Sequence, residues 1–207
     1  MVAIVTGNGL GLQSSSALGL GGRGQIGNAG FGKSGEQVYV NAATGNLILR
    51  DRDQWLLGRG VDAELYRAYN SQAQLVGEAW RSGTVKQVNG LTGTVNSTGS
   101  VVYRTDWDGS RTAYAWDAAR SLYVASAGAG TRDTLAWDAG NQRWTWTQGG
   151  SQLLERYDAT KNGRLFESVD RDGNSVQYSY NAAGALSQIV TANGETTYLD
   201  YDGNGRL

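Results

Sequence analysis

The chain has 207 residues, a net charge of −1, and neither Cys nor His. Without Cys there are no disulfides or thiol chemistry, and without His the commonest general base and metal ligand are missing. A nearly neutral chain has no long-range field for nucleic acid or an anionic membrane, so neither is an expected partner. Trp (7) and Tyr (11) far outnumber Phe (2), Gly reaches 31 and Pro is absent, which suits half-wet strands better than a dry helical core. No apolar run is long enough for a membrane-spanning helix, and no signal peptide is visible at Met1-Val2-Ala3-Ile4-Val5.

Residues 1–35 read as a Gly-rich lead-in or plug in which Val2 to Val5 and Leu18 to Leu20 could add strands to a sheet. Within it, Gly27 to Ser34 fits the phosphate-cradling P-loop pattern and Gly22 to Gly27 the dinucleotide fingerprint. Both need a strand before and a helix after, and Glu36 to Val40 reads as strand instead. Val2 to Gly7, with Tyr157 and Lys161, resembles short-chain dehydrogenases. That Tyr-x-x-x-Lys spacing works on a helix, and none is predicted there.

Residues 36–75 form an opening segment. Val38-Tyr39-Val40 turns through Asn41 to Gly45 into Leu47-Ile48-Leu49, and Val61 to Asn70 inclines to strand. Residues 76–150 read as degenerate hairpins with turns at Asn89-Gly90, Asp108-Gly109 and Ala139-Gly140-Asn141. Tyr114, Trp116 and Leu122 stand at the same offsets from Asp108 as Tyr178, Tyr180 and Leu186 do from Asp172.

Residues 151–207 carry the clearest signal, a 21-residue period. It relates Gly163, Gly184 and Gly205; Leu165, Leu186 and Leu207; Tyr157 and Tyr178; and Tyr180 and Tyr201. Asp172-Gly173 and Asn193-Gly194 keep the same interval and suit two-residue hairpin loops. Alternation predicts Val176, Tyr178 and Tyr180 on one strand face. The last repeat is truncated at Leu207, and an unpaired edge there is an aggregation liability, so the expectation is a fragment of a longer protein. The predicted fold is all-β: successive hairpins of about 21 residues forming a long curved or spiralling antiparallel sheet.

These residues resemble the RHS/YD-repeat family. The Tyr-Asp pair occurs as Tyr157-Asp158 and Tyr201-Asp202, with Tyr180-Asn181 and Trp116-Asp117 as variants. The resemblance covers roughly residues 36–207 and implies a spiral sheet wound into a shell around a C-terminal toxin or effector. It also implies a secreted or cell-surface protein, with the rest of the shell, the enclosed effector, and a secretion apparatus or surface glycans as partners. Any self-cleavage region would lie beyond Leu207.

Chemistry finds little footing in the sequence. The carboxylate pairs Asp106/Asp108, Asp170/Asp172 and Asp200/Asp202 each lie beside a turn Gly, where Asp bonds the local backbone. Asp200 to Gly205 matches the first half of a calcium loop, but Gly205 already belongs to the 21-residue column. Trp107, Trp116, Trp137, Trp144 and Trp146 read as cross-strand packing, with a stacking platform for sugars or apolar peptide as the functional alternative. No catalytic, cofactor or metal residue is assigned, and no enzyme activity is expected. The alternative to a shell segment is an extracellular adhesion or carbohydrate-binding module using exposed Trp and Tyr.

Overall fold

A computed structural model of the chain describes residues 3–5, 30–31, 37–41, 46–71, 80–125 and 132–207. Most of the Gly-rich lead-in, with Lys33 and both nucleotide-like motifs apart from Gly30–Phe31, lies outside these residues, as does the Asn41 to Gly45 turn beyond Asn41. Among the described residues every element is a strand except one 3-10 turn, so the chain is all-β.

The first sheet has six strands: β1 (Ala3–Val5), β2 (Gly30–Phe31), β3 (Gln37–Asn41), β4 (Leu47–Leu56), β5 (Ala63–Asn70) and β6 (Trp80–Ser82). β1 lies parallel to β3, a departure from a purely antiparallel sheet, and the other pairings are antiparallel. β4 continues through Asp51-Arg52-Asp53, with a bulge at Asp53, because β5 supplies the opposite charges. Arg67 reaches Asp51 at 2.7 Å and Asp53 at 2.8 Å, and Arg50 reaches Glu64 at 2.5 Å.

The second sheet has eleven strands in chain order: β7 (Gln87–Thr92), β8 (Val101–Thr105), β9 (Arg111–Asp117), β10 (Leu122–Ala125), β11 (Thr134–Asp138), β12 (Arg143–Thr147), β13 (Leu154–Asp158), β14 (Arg164–Val169), β15 (Ser175–Tyr180), β16 (Leu186–Val190) and β17 (Thr196–Tyr198). Each pairs antiparallel with its chain neighbours, and the sheet curls until β14 meets β7, closing β7 to β14 into an eight-stranded barrel. Eight strands leave an interior just wide enough for side chains to fill. Alternate residues do so: Val102 and Arg104, Trp144 and Trp146, Glu155 and Tyr157 are all buried. The sheet then continues past its own closure. Glu167 to Val169 of β14 pair with β15, so β15 to β17 leave the barrel as a separate wing.

Three further sets of contacts fix the assembly. The wing packs on the first sheet through Val176, Leu186, Ile189 and Leu199 against Ala63, joined by Tyr178 and Tyr180, so the predicted shared face is present. At one barrel end, Asn70 donates to the Asp108 carbonyl at 2.8 Å, and Trp107 packs edge-on against Tyr66. At the other end the 93–99 loop is held down by Tyr123, whose hydroxyl accepts from Asn96 N at 2.8 Å.

Candidate functional site

Five loops share one geometry, starting at Asp106, Asp170, Asn181, Thr191 and Asp202. In each, the backbone N–H of the first residue donates to the carbonyl four residues on, and a glycine three residues on donates back to the first carbonyl. Those glycines (Gly109, Gly173, Gly184, Gly194 and Gly205) have φ between 75° and 85°. This is the three-residue loop built from a turn plus a left-handed glycine bulge. It corrects the expectation of two-residue loops, because Asp172 and Asn193 are not left-handed.

In the Asp170 and Asp202 loops the carboxylate that caps the turn is the one that opens it, whereas in the Asp106 loop Ser110 N donates to Asp108 Oδ1. Asp170 Oδ1 accepts from Asp172 N and Asn174 N at 2.9 and 2.8 Å, and Asp202 Oδ1 does the same for Asn204 N and Arg206 N. Side-chain bonding from Asn174 lowers the Asp170 carboxyl below its ordinary value, and bonds from Arg206 do so for Asp202. The carboxylates of Asp170, from one of the carboxylate pairs, and Asp202, from the half-match to a calcium loop, are thus engaged by their own turns. Asp117, Asp138 and Asp158 cap their longer turns similarly, through Ala119 N, Asn141 N and Thr160 N.

The tyrosine of the pair has an equally definite role in the wing. Tyr180 Oη donates to the Leu165 carbonyl at 2.6 Å, and Tyr201 Oη, 21 residues on, donates to the Leu186 carbonyl at 2.8 Å. Each hydroxyl thus ties its repeat to the preceding one. Tyr180→Phe or Tyr201→Phe is expected to lower unfolding free energy by about 0.5–1.5 kcal/mol in urea titrations. Tyr198→Phe, at a side chain 73% exposed, should stay within about 0.5 kcal/mol of wild type.

Strand register revises two sequence alignments. Tyr157 lies opposite Leu165, and Tyr180 opposite Leu186, so Tyr157 is the counterpart of Tyr180 and not of Tyr178. The longer turn after Tyr157, which holds the Ala159–Lys161 3-10 turn, displaced the match. Likewise Trp116 faces Tyr123, and Leu122 faces Asp117. Tyr157 and Lys161 share no helix: Tyr157 is buried in the barrel, and Lys161 is exposed beside Asp158.

The five tryptophans do not make a solvent-facing row. Trp144 and Trp146 are barrel core, Trp116 and Trp137 pack onto that core, and Trp107 packs between Ile48 and Tyr66. Tyr123–Trp144 and Trp137–Trp144 are ring pairs at 5.1 and 4.9 Å. Closure turned one face of the sheet inward and took these rings with it.

Sequence reading missed the polar centre of the barrel. Arg104 Nη2 donates to Glu155 Oε2 at 2.7 Å, its Nε to Tyr157 Oη at 2.9 Å, and its Nη1 to Asp106 Oδ2 at 2.9 Å. Lys86 Nζ donates to Glu155 Oε1 at 2.5 Å, Tyr157 Oη donates to Glu155 Oε2, and the Arg104 guanidinium lies 3.9 Å from the Trp146 ring centre. Two cations and two carboxylates balance. An Arg and a Glu each at an inward strand position near an aromatic (Tyr103-Arg104, Glu155-Arg156-Tyr157) were the available signal.

Burial alone would raise the Asp106 and Glu155 carboxyls, but Arg104 and Lys86 outweigh it and hold both below the usual carboxylate range. Burial opposes the charge on Lys86, yet Glu155 and Asp106 keep its pKa raised. Burial pushes the Tyr114 phenol up to about 12. Depressed carboxyls stabilise the fold above their unfolded pKa, and raised cations do so below theirs. The network therefore contributes fully between about pH 5 and 10 and fades as pH falls below about 4. Asp133, raised by burial, acts with the opposite sign and softens that decline. Urea midpoints measured from pH 7 to 2.5 should show a plateau followed by a steep acid loss, smaller in Glu155→Gln.

The arrangement is that of an all-β protein built from consecutive hairpins, each bonded to the one before it. Residues 157–196 match the family model for the RHS repeat, a structural repeat, and that stretch carries it. No curated protein matches the chain. No helix among the described residues is long and apolar enough to cross a membrane.

Proposed function

We propose that this chain is a non-catalytic wall segment of an RHS-repeat shell that encloses, and helps deliver, a C-terminal effector. The observation carrying the reading is the 21-residue recurrence of the tyrosine-to-carbonyl bond, Tyr180 to Leu165 and Tyr201 to Leu186. A wall extended by that bond grows one hairpin at a time without any new kind of contact. Residues 36–75 would open the repeat region, 76–150 and 151–207 would form wall, and 1–35 would serve as lead-in or plug. The remaining shell and its effector are then the partners, with a secreted or cell-surface location.

Limited proteolysis of the product of the complete gene tests this. A C-terminal segment that resists protease until the repeats unfold is the expected result. A segment cut as fast as the same sequence made alone overturns enclosure.

A further inference from the structure

The barrel joins are unequal. β8–β9, β11–β12 and β12–β13 each have five paired positions, whereas β7–β14 has one, Arg164 opposite Gln87. Two backbone bonds flank it, Val88 N to the Gly163 carbonyl at 2.8 Å and Leu165 N to the Lys86 carbonyl at 3.1 Å. It is also the only ring join between strands that are not chain neighbours, so no short turn holds it together. A cleft of about 310 Å³ opens beside it, bordered by Val88, Asn89 and Gly90 on one side of the join and Asn162 and Gly163 on the other.

What the backbone lacks here, side chains supply. Lys86 immediately precedes β7 and Arg104 lies on β8, and both bond Glu155 on β13, across the join. We propose that the ring is latched at β7–β14 by Glu155 and opens reversibly there while its other ladders stay formed. On opening, β7 keeps β8, and β14 keeps β13 and β15. Lys86 and Arg104 keep Asp106, at 3.9 and 2.9 Å, so neither cation is stranded. Glu155 keeps the Tyr157 hydroxyl. The opened form is a continuous curled sheet in chain order, the same topology that β15 to β17 already follow.

Native-state hydrogen exchange on the 207-residue chain tests this. The Val88 and Leu165 amides should exchange about 100-fold faster than the bonded amides of β8–β9 and β12–β13. Glu155→Gln should speed the Val88 and Leu165 amides by about tenfold or more, and an oxidised Gln87→Cys/Arg164→Cys pair should bring them into line with the ladders. The proposal fails if the Val88 and Leu165 amides exchange with the ladders in wild type. It also fails if Glu155→Gln leaves the Val88 and Leu165 rates unchanged, or if the oxidised pair leaves the difference in place.

Discussion

Glu155→Ala is expected to cost the chain about 3–5 kcal/mol of unfolding free energy, because it leaves two buried cations sharing the single Asp106 carboxylate while the barrel stays closed to water. Arg104 would lose its bond to Glu155 while remaining 4% exposed, and Lys86 would lose its 2.5 Å partner. Against total stabilities of about 5–15 kcal/mol, such a loss raises the unfolded population by roughly two to four orders of magnitude. A urea denaturation midpoint measures it. The reverse change is informative as well: Arg104→Met combined with Glu155→Leu removes charge from both sides and should cost less than Glu155→Ala alone. If the two variants are equally destabilised, the loss comes from cavity formation and the pairing argument is wrong.

Gly163→Ala is the second large expected effect, and its cause is steric. A Cβ on Gly163 would sit 1.7 Å from the Val88 carbonyl oxygen, a backbone atom that cannot swing aside. Gly163 also has φ +66°, where an L side chain is strained. Gly173 isolates the second term, with φ +85° and open space around its would-be Cβ. Gly173→Ala should therefore cost about 1–2 kcal/mol. Gly163→Ala should cost that plus about 1–3 kcal/mol for the overpacked strand contact, read from paired urea titrations. Equal losses would mean that β7 and β14 part without resistance.

Gly163 also shows how one residue can be read twice. In the sequence it belongs to a column with Gly184 and Gly205, and all three do have positive φ. Nothing in that column distinguishes the one glycine pressed against another strand. The same holds for the tryptophans. Their alternation with polar residues marks one face of a strand, and alternation is silent on whether that face meets water or the inside of a ring. The barrel also draws strands from both the 76–150 and 151–207 stretches. Repeat regularity alone gives no hint of this, since the join is made by strands far apart in the chain.

What the sequence determined is whatever depends on near neighbours: the strands, the loop glycines, the short polar residue (Asp, Asn or Thr) that opens each three-residue loop, and the 21-residue interval of the Tyr180 and Tyr201 bonds. These follow from φ preferences and from side chains that reach only a few residues along the backbone or across one hairpin. Closure, the inward turn of Trp144 and Trp146, and the meeting of Lys86, Arg104, Asp106 and Glu155 were decided by tertiary structure. They depend on the accumulated twist and curl of eight strands, and a small change per strand decides whether β14 meets β7 or passes it by.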